Sequence, residues 1–243
     1  MDKQADIIVP VRNEQDNLPI LWARLTAMSD FPAWNIIFID NASTDNSVAF
    51  IETIPDATLI RHDRDRGYGA SLRNGMAAAK TGKLVIIDAD CEYPPESIPM
   101  LLEQLDSYPV VYASRLFGKS TARQAGMPMI KWLGNRLISS AYNRLFAQQT
   151  TDLYTGCKAM RRECLKNTRL QRNGFEHVLE LAVQLAALGY AIKEIPIDFK
   201  PRSAGQSKMS HASEITKFFL LLLRYKLEFI CGILLPSQKG GVR

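Results

Sequence analysis

Over the first 115 residues, short apolar runs rich in Val and Ile alternate with amphipathic stretches of helical length. The runs at 7–11, 36–39, 58–60, 84–87 and 110–113 predict strands, since unbroken apolar side chains suit strands covered on both faces. Between them, 17–28, 48–53 and 70–79 carry the wider apolar spacing of helices. The Asp40 to Asp45 segment ends in N-cap residues for the second helix, and Gly82 offers a C-cap to the third. Pro94-Pro95 stops regular structure. This alternation predicts an α/β fold with a mostly parallel central sheet and helices on both faces.

Beyond residue 115 the pattern changes. Residues 127–146 read as a helix with Lys131, Arg136 and Arg144 interspersed; 178–188 as a helix ended by Gly189; 192–199 as a strand; and 201–209 as a polar loop. A final amphipathic helix runs from about 214 to 235, with Ser213 as its N-cap and Pro236 as its stop. Its longest apolar run, 218–223, gives way to Arg224, Lys226 and Glu228. A spanning helix needs about 20 mostly apolar residues, so this one is expected to lie in a membrane interface or to pack on the core.

At 243 residues, with 47% hydrophobic and 23% charged residues, the chain can bury one substantial core. No repeat or long polar tract suggests disorder. The four cysteines (Cys91, Cys157, Cys164, Cys231) lack metal-ligand spacing, and the opening residues show no signal-peptide pattern; a reducing intracellular compartment is expected. The net charge of +5 admits phosphorylated substrates or an anionic lipid surface. Nucleic acid is the least favoured partner, because no recognition motif accompanies the mild charge.

Three polar clusters directly follow predicted strands: Arg12-Asn13-Glu14, Asp40 to Asp45, and Asp88, Asp90 and Glu92. In parallel α/β sheets ligands bind beyond the carboxyl ends of the strands, so a shared pocket is expected there. Alternate carboxylates leaving a buried strand suit one hard cation that keeps positions open for phosphate; a solvated acidic turn is the plainer alternative. Gly67 and Gly69 match neither nucleotide fingerprint and read as a tight turn, which still lets backbone approach a nucleotide. His62, His177 and His211 are isolated and show no ligand spacing.

Together the motifs resemble those of family 2 glycosyltransferases on the GT-A fold. They run from Val-Pro-Val-Arg-Asn-Glu (9–14) through Ile-Asp-Asn-Ala-Ser-Thr-Asp (39–45), Arg-Gly-Tyr-Gly-Ala-Ser-Leu-Arg-Asn-Gly (66–75) and Asp-Ala-Asp (88–90). Ala-Ser-Arg (113–115), Asp152 with Thr155-Gly156 and Lys158, Glu176 to Glu180, and Pro-Arg-Ser-Ala-Gly-Gln-Ser-Lys (201–208) complete the set. The late motifs are similar to the polyprenyl-phosphate sugar synthases, the dolichol-phosphate mannosyltransferase-like branch.

The resemblance implies a GT-A catalytic domain over 1–211, with a nucleotide-sugar half (1–115) and an acceptor half (116–211), followed by a C-terminal helix and tail (212–243). It implies Mg²⁺ or Mn²⁺ on Asp88 and Asp90, with Glu92 as a further ligand. Pro10, Arg12, Glu14 and Asp40 would line the nucleoside pocket, and Asn41, Gly67 and Ala89 complete the implied donor set. Arg115, Arg202 and Lys208 would hold phosphates, and Glu180 joins the catalytic group. Two residues depart from the pattern: Asn41 stands where a second acid is often found, and Glu92 where Gln is common.

The expected activity is inverting, metal-dependent transfer of a hexose from a nucleotide-sugar (GDP-mannose or UDP-glucose type) to a polyprenyl phosphate, at the cytoplasmic membrane face. A lipid phosphate is already an anionic nucleophile and needs no strong base. A hydroxyl acceptor would need one, from Glu180, Glu176 or Asp152. That acceptor class, and a non-catalytic module binding sugar nucleotide or anionic lipid, are the alternatives.

Overall fold

A computed structural model describes residues 3–117, 122, 123, 125–200 and 211–234, with side chains of the last segment from 216 on. Seven strands form one sheet among the described residues: β1 (Ala5–Val11), β2 (Trp34–Asp40), β3 (Thr58–Arg61), β4 (Lys83–Ile87), β5 (Val110–Ser114), β6 (Cys157–Arg161) and β7 (Lys193–Pro196). Their order is β3-β2-β1-β4-β6-β5-β7. The pairings β1–β2, β1–β4, β2–β3 and β5–β7 are parallel. Only β6 runs the other way, between β4 and β5.

Strand alternation divides the core into two layers. On one face Ile7, Val9, Phe38, Val85, Ile87 and Ala159 meet α1 (Leu18–Thr26), α2 (Ser47–Glu52) and, further along the chain, α4 (Ile98–Gln104). On the other, Ile8, Ile37, Ile39, Ile86, Tyr112 and Met160 meet α3 (Tyr68–Ala78), α5 (Met129–Phe146), α6 (Glu176–Ala187) and α7 (His211–Ile230). The amphipathic helices bury one face each because only that face matches an apolar sheet surface.

Several elements differ from the sequence reading. β6 falls in Cys-Lys-Ala-Met-Arg, whose two cations broke the apolar signal. The helix α4 follows the two prolines that should have ended structure; Pro95 and Pro99 occupy first-turn positions where a missing N–H costs little. Gly82 caps nothing: α3 ends at Ala78, and the connection to β4 is held by Asp6, which accepts the N–H groups of Lys80 (2.8 Å) and Thr81 (2.7 Å). Gly189 does adopt a left-handed φ of 85° just past α6. The last helix begins at His211, so Ser213 lies inside it, and Pro236 lies outside the described residues. Among the described residues no helix is long and apolar enough to cross a membrane.

Candidate active site

The loops that leave β1, β2 and β4 meet at one end of the sheet and each contains a non-glycine residue in the left-handed region: Asn13 (φ 53°), Ala42 (φ 58°) and Cys91 (φ 61°). Such conformations cost an L-residue about 1–2 kcal/mol and persist where surroundings enforce them. Enforcement is visible in the side chains. Asn13 Oδ1 accepts the Thr44 N–H (2.8 Å), and Ser43 Oγ and Ser47 Oγ accept the N–H groups of Asn13 (2.9 Å) and Glu14 (2.8 Å). The second polar cluster therefore spends its hydroxyls binding the first.

These loops line a cavity of about 340 Å³ whose wall includes Pro10, Arg12, Glu14, Asn41, Gly67, Asp88, Ala89, Asp90, Glu92 and Arg115. Of the donor-side residues expected from sequence, only Asp40 is absent from this wall; it is buried and accepts the Ser43 N–H at 3.2 Å. Asn41 donates to Asp65 Oδ1 at 2.7 Å and accepts the Arg66 N–H at 2.8 Å and His62 Nδ1 at 2.9 Å. His62 Nε2 in turn faces Asn74 Nδ2 at 2.8 Å, which fits a neutral ring donating through Nδ1. Burial, with the Arg66 charge, holds the pKa of His62 down.

The sequence reading passed over Asp65, although its carboxylate lines the pocket, pairs with Arg12 and accepts the Gly67 N–H at 2.9 Å. Burial pushes its pKa up, but Gly67, Asn41 and Arg12 outweigh this and hold it below the usual carboxylate value. The signal was its place two residues before a left-handed glycine, Gly67 at φ 88°. A side chain at 67 would collide with the Asn173 backbone. Asn173 O also accepts the N–H of Gly69 at 2.7 Å and of Ala70 at 3.2 Å, so the first turn of α3 is capped by a distant segment of the chain.

Asp88 and Asp90 sit where β4 ends. Tyr68 donates its hydroxyl to Asp88 Oδ1 at 2.8 Å, and Asp90 Oδ1 accepts the Glu92 N–H at 3.0 Å. Burial and the Asp88 charge hold the Tyr68 pKa well above its ordinary value, so it stays a donor. Glu92, expected as a third metal ligand, instead faces cations: Lys131 Nζ lies 2.8 Å from Oε2 and 3.0 Å from Oε1, and Arg115 Nη1 3.3 Å from Oε2. Among the described residues no three His, Cys, Asp or Glu side chains converge as an ion cage.

Arg115, expected to grip phosphate, is buried and forked onto Asp152, with Nε 2.7 Å from Oδ2 and Nη2 2.9 Å from Oδ1. Burial favours neutral Asp152, but Arg115 outweighs it and keeps the carboxylate below its ordinary pKa. Glu180 does not reach the pocket wall; its oxygens accept the N–H groups of Gln171 (3.0 Å) and Arg172 (2.9 Å). Arg202 and Lys208 lie outside the described residues.

Past Lys131 the wall turns apolar, with Ile130, Gly134 and Ile138 from α5, Val178 from α6 and Phe218 from α7. Outside it, α5 exposes Met129, Leu133 and Leu137, and the neighbouring α7 exposes Leu220, Leu227 and Ile230. One pocket thus joins a carboxylate-rich end to an apolar end under two helices with uncovered apolar faces.

A sheet of this order, with helices on both faces and an acid-lined pocket beyond its carboxyl ends, has the GT-A fold. The glucosyl-3-phosphoglycerate synthase of Mycobacterium tuberculosis, solved with Mn²⁺, UDP and glucosyl-3-phosphoglycerate, superposes with a TM-score of 0.69 at 18% identity, over 99% of this chain and 83% of that one. The chain belongs to glycosyl transferase family 2, whose model matches residues 6–169. The dolichol-phosphate mannosyltransferase of Saccharomyces cerevisiae is 30% identical, over 86% of this chain and 82% of the relative. The undecaprenyl-phosphate mannosyltransferase of Micrococcus luteus is 30% identical, over 84% of this chain and 86% of the relative.

Proposed function

We propose that this glycosyltransferase moves a hexose from a nucleotide-sugar to a polyprenyl phosphate at a membrane surface, with inversion at the sugar carbon. The observation that carries this reading is the two-ended pocket: Asp88 and Asp90 at one end, and Ile130, Ile138, Val178 and Phe218 at the other. The names of the yeast and Micrococcus relatives support a lipid-phosphate acceptor and a mannosyl group.

Asp88 and Asp90 suit Mg²⁺ or Mn²⁺, because two hard carboxylate oxygens leave the remaining positions to phosphate oxygens of the substrate. The absence of a side chain at Gly156, where a Cβ would strike Asp88 Oδ2, gives that carboxylate its seat. Bound there, the ion would offset the charge that grows on the departing nucleoside diphosphate. The loops of Arg12, Glu14, Asn41 and Asp65 would hold the nucleoside, and Arg202 and Lys208 would add positive charge near the phosphates.

Lys131, between the two ends, would meet the acceptor phosphate while its contact with Glu92 keeps it aimed. A phosphate oxygen of the acceptor attacks the sugar C1 and the C1–O bond to the diphosphate breaks, so no proton has to be removed. That fits the nearby acids: Glu92 on the wall and the buried Asp152 behind it are tied to Lys131 and Arg115, and neither is poised as a base. The exposed apolar faces of α5 and α7 would rest on the bilayer that holds the lipid, at its cytoplasmic face.

The test is transfer of radiolabel from GDP-mannose or UDP-glucose to a detergent-solubilised polyprenyl phosphate in the presence of Mn²⁺. Label should enter the organic phase, stop with EDTA, and fall at least about a thousandfold in Asp90→Ala. Label confined to water-soluble products, or full transfer in chelator, overturns the reading.

A further inference from the structure

Lys158 is a buried lysine that the transfer mechanism leaves unused. It is fully buried in the middle of β6, and its Nζ has no hydrogen-bond partner. It lies over the face of the Tyr112 ring, 4.9 Å from Nζ to the centroid. A cation stripped of water and left without a hydrogen-bond acceptor is costly, so something must favour keeping it.

The register of the sheet indicates what that is. Lys158 pairs with Ile86 across the β4–β6 ladder, and the ladder continues one step past the end of β4, where the Asp88 N–H reaches Gly156 O at 3.2 Å. Residues two apart on a strand share a face about 7 Å apart. Asp88, Gly156, Ile86 and Lys158 therefore occupy one face, with Gly156 opposite Asp88 and Lys158 one step beneath. The Asp88 carboxylate lies over Gly156, and the Lys158 ammonium, set over the Tyr112 ring of β5, lies one step along the same face without a direct ion pair to it. Burial lowers the Lys158 pKa to about 8, and the Asp88 charge is the largest influence opposing that fall. Tyr68 holds the carboxylate from the pocket side at 2.8 Å.

We infer that Lys158 is a positioning residue that acts on the donor metal through Asp88, a fixed positive charge beneath the carboxylate that limits how tightly the ion is held. The inference rests on the reading of Asp88 as a metal-binding carboxylate. The ammonium balances Asp88 while the ion is away and repels the ion once it is bound. Lys158 would thereby favour loss of the ion together with the nucleoside diphosphate. Like charges several ångströms apart in a partly desolvated site change affinity severalfold or more.

The experiment compares wild type, Lys158→Met and Lys158→Arg by calorimetric titration with MnCl₂ in the presence of UDP or GDP, by thermal unfolding, and by product inhibition of transfer. Methionine fills nearly the same volume without charge, so Lys158→Met should unfold at or above the wild-type temperature. It should bind Mn²⁺ at least about fivefold more tightly and show stronger inhibition by the nucleoside diphosphate. Lys158→Arg, which keeps the charge, should retain the wild-type Mn²⁺ affinity. Unchanged or weaker Mn²⁺ binding in a folded Lys158→Met overturns the inference, and so does tighter binding shared by Lys158→Arg. If wild type itself binds no Mn²⁺ with either nucleotide, the metal-site reading of Asp88 fails first.

Discussion

At the scale of single residues, commitment separates structural carboxylates from those with chemistry to do. Glu180 is the clearest structural case, because three hydrogen bonds from the Gln171 and Arg172 backbone converge on its oxygens. Burial pushes its pKa up, yet His177 and those N–H groups outweigh burial and hold it below the ordinary carboxylate value. A depressed folded pKa adds stability above the unfolded value of about 4.3, and this is lost as pH falls through the folded one. Glu180→Gln should therefore lose about 2 kcal/mol at neutral pH by chemical denaturation, with a flatter stability profile below about pH 4.5. Turnover per folded molecule should stay near wild type; its loss at unchanged stability would return Glu180 to the catalytic group. Asp88 and Asp90 were legible from their spacing after an apolar run, but Asp65 and Tyr68 were not. Their value comes from neighbours in space, Asn41 and Asp88, that lie 24 and 20 positions away.

At the scale of elements, the parallel half of the sheet was readable because β1, β2, β4 and β5 are almost wholly apolar. β6 escaped notice because Lys158 interrupts it, and α4 because its prolines read as stops although they occupy a helix start. The amphipathic α3, α5 and α6 were found, with ends shifted by one or two residues; at the start of α3 the cap is Asn173 O, far away in the sequence. The seam between α3 and the 172–174 segment depends on close approach. A Cβ at Gly69 would meet the Arg172 carbonyl and the His177 side chain. Gly69→Ala should cost about 2–3 kcal/mol in denaturant unfolding, because backbone on one side and a buried ring on the other leave no room to yield. A change below about 0.5 kcal/mol would mean that the seam relaxes freely.

At the scale of the whole molecule, apolar surface gathers on one side. Leu220, Leu227 and Ile230 of α7 are exposed by 62%, 63% and 68%, beside the exposed apolar residues of α5. Lys217 and Arg224, both more than half exposed, stand on the same helix as this face. The triple substitution Leu220→Glu, Leu227→Glu, Ile230→Glu should reduce co-sedimentation with phosphatidylglycerol vesicles at least about tenfold, without lowering the unfolding temperature. Equal binding by the variant would place the lipid contact elsewhere. The amphipathic character of α7 was visible in its sequence. Its partnership with α5 was not, because the stretch from 147 to 210 separates the two helices and only the fold joins them.

The reversed strand also constrains motion. Because β6 is hydrogen-bonded to β4 on one side and β5 on the other, strands from the first and second halves of the chain belong to one continuous ladder. The two halves cannot swing apart like jaws without breaking that ladder, a cost close to that of unfolding. The sheet is thus a fixed floor, and any change in the width of the pocket falls to the helices and loops that form its walls.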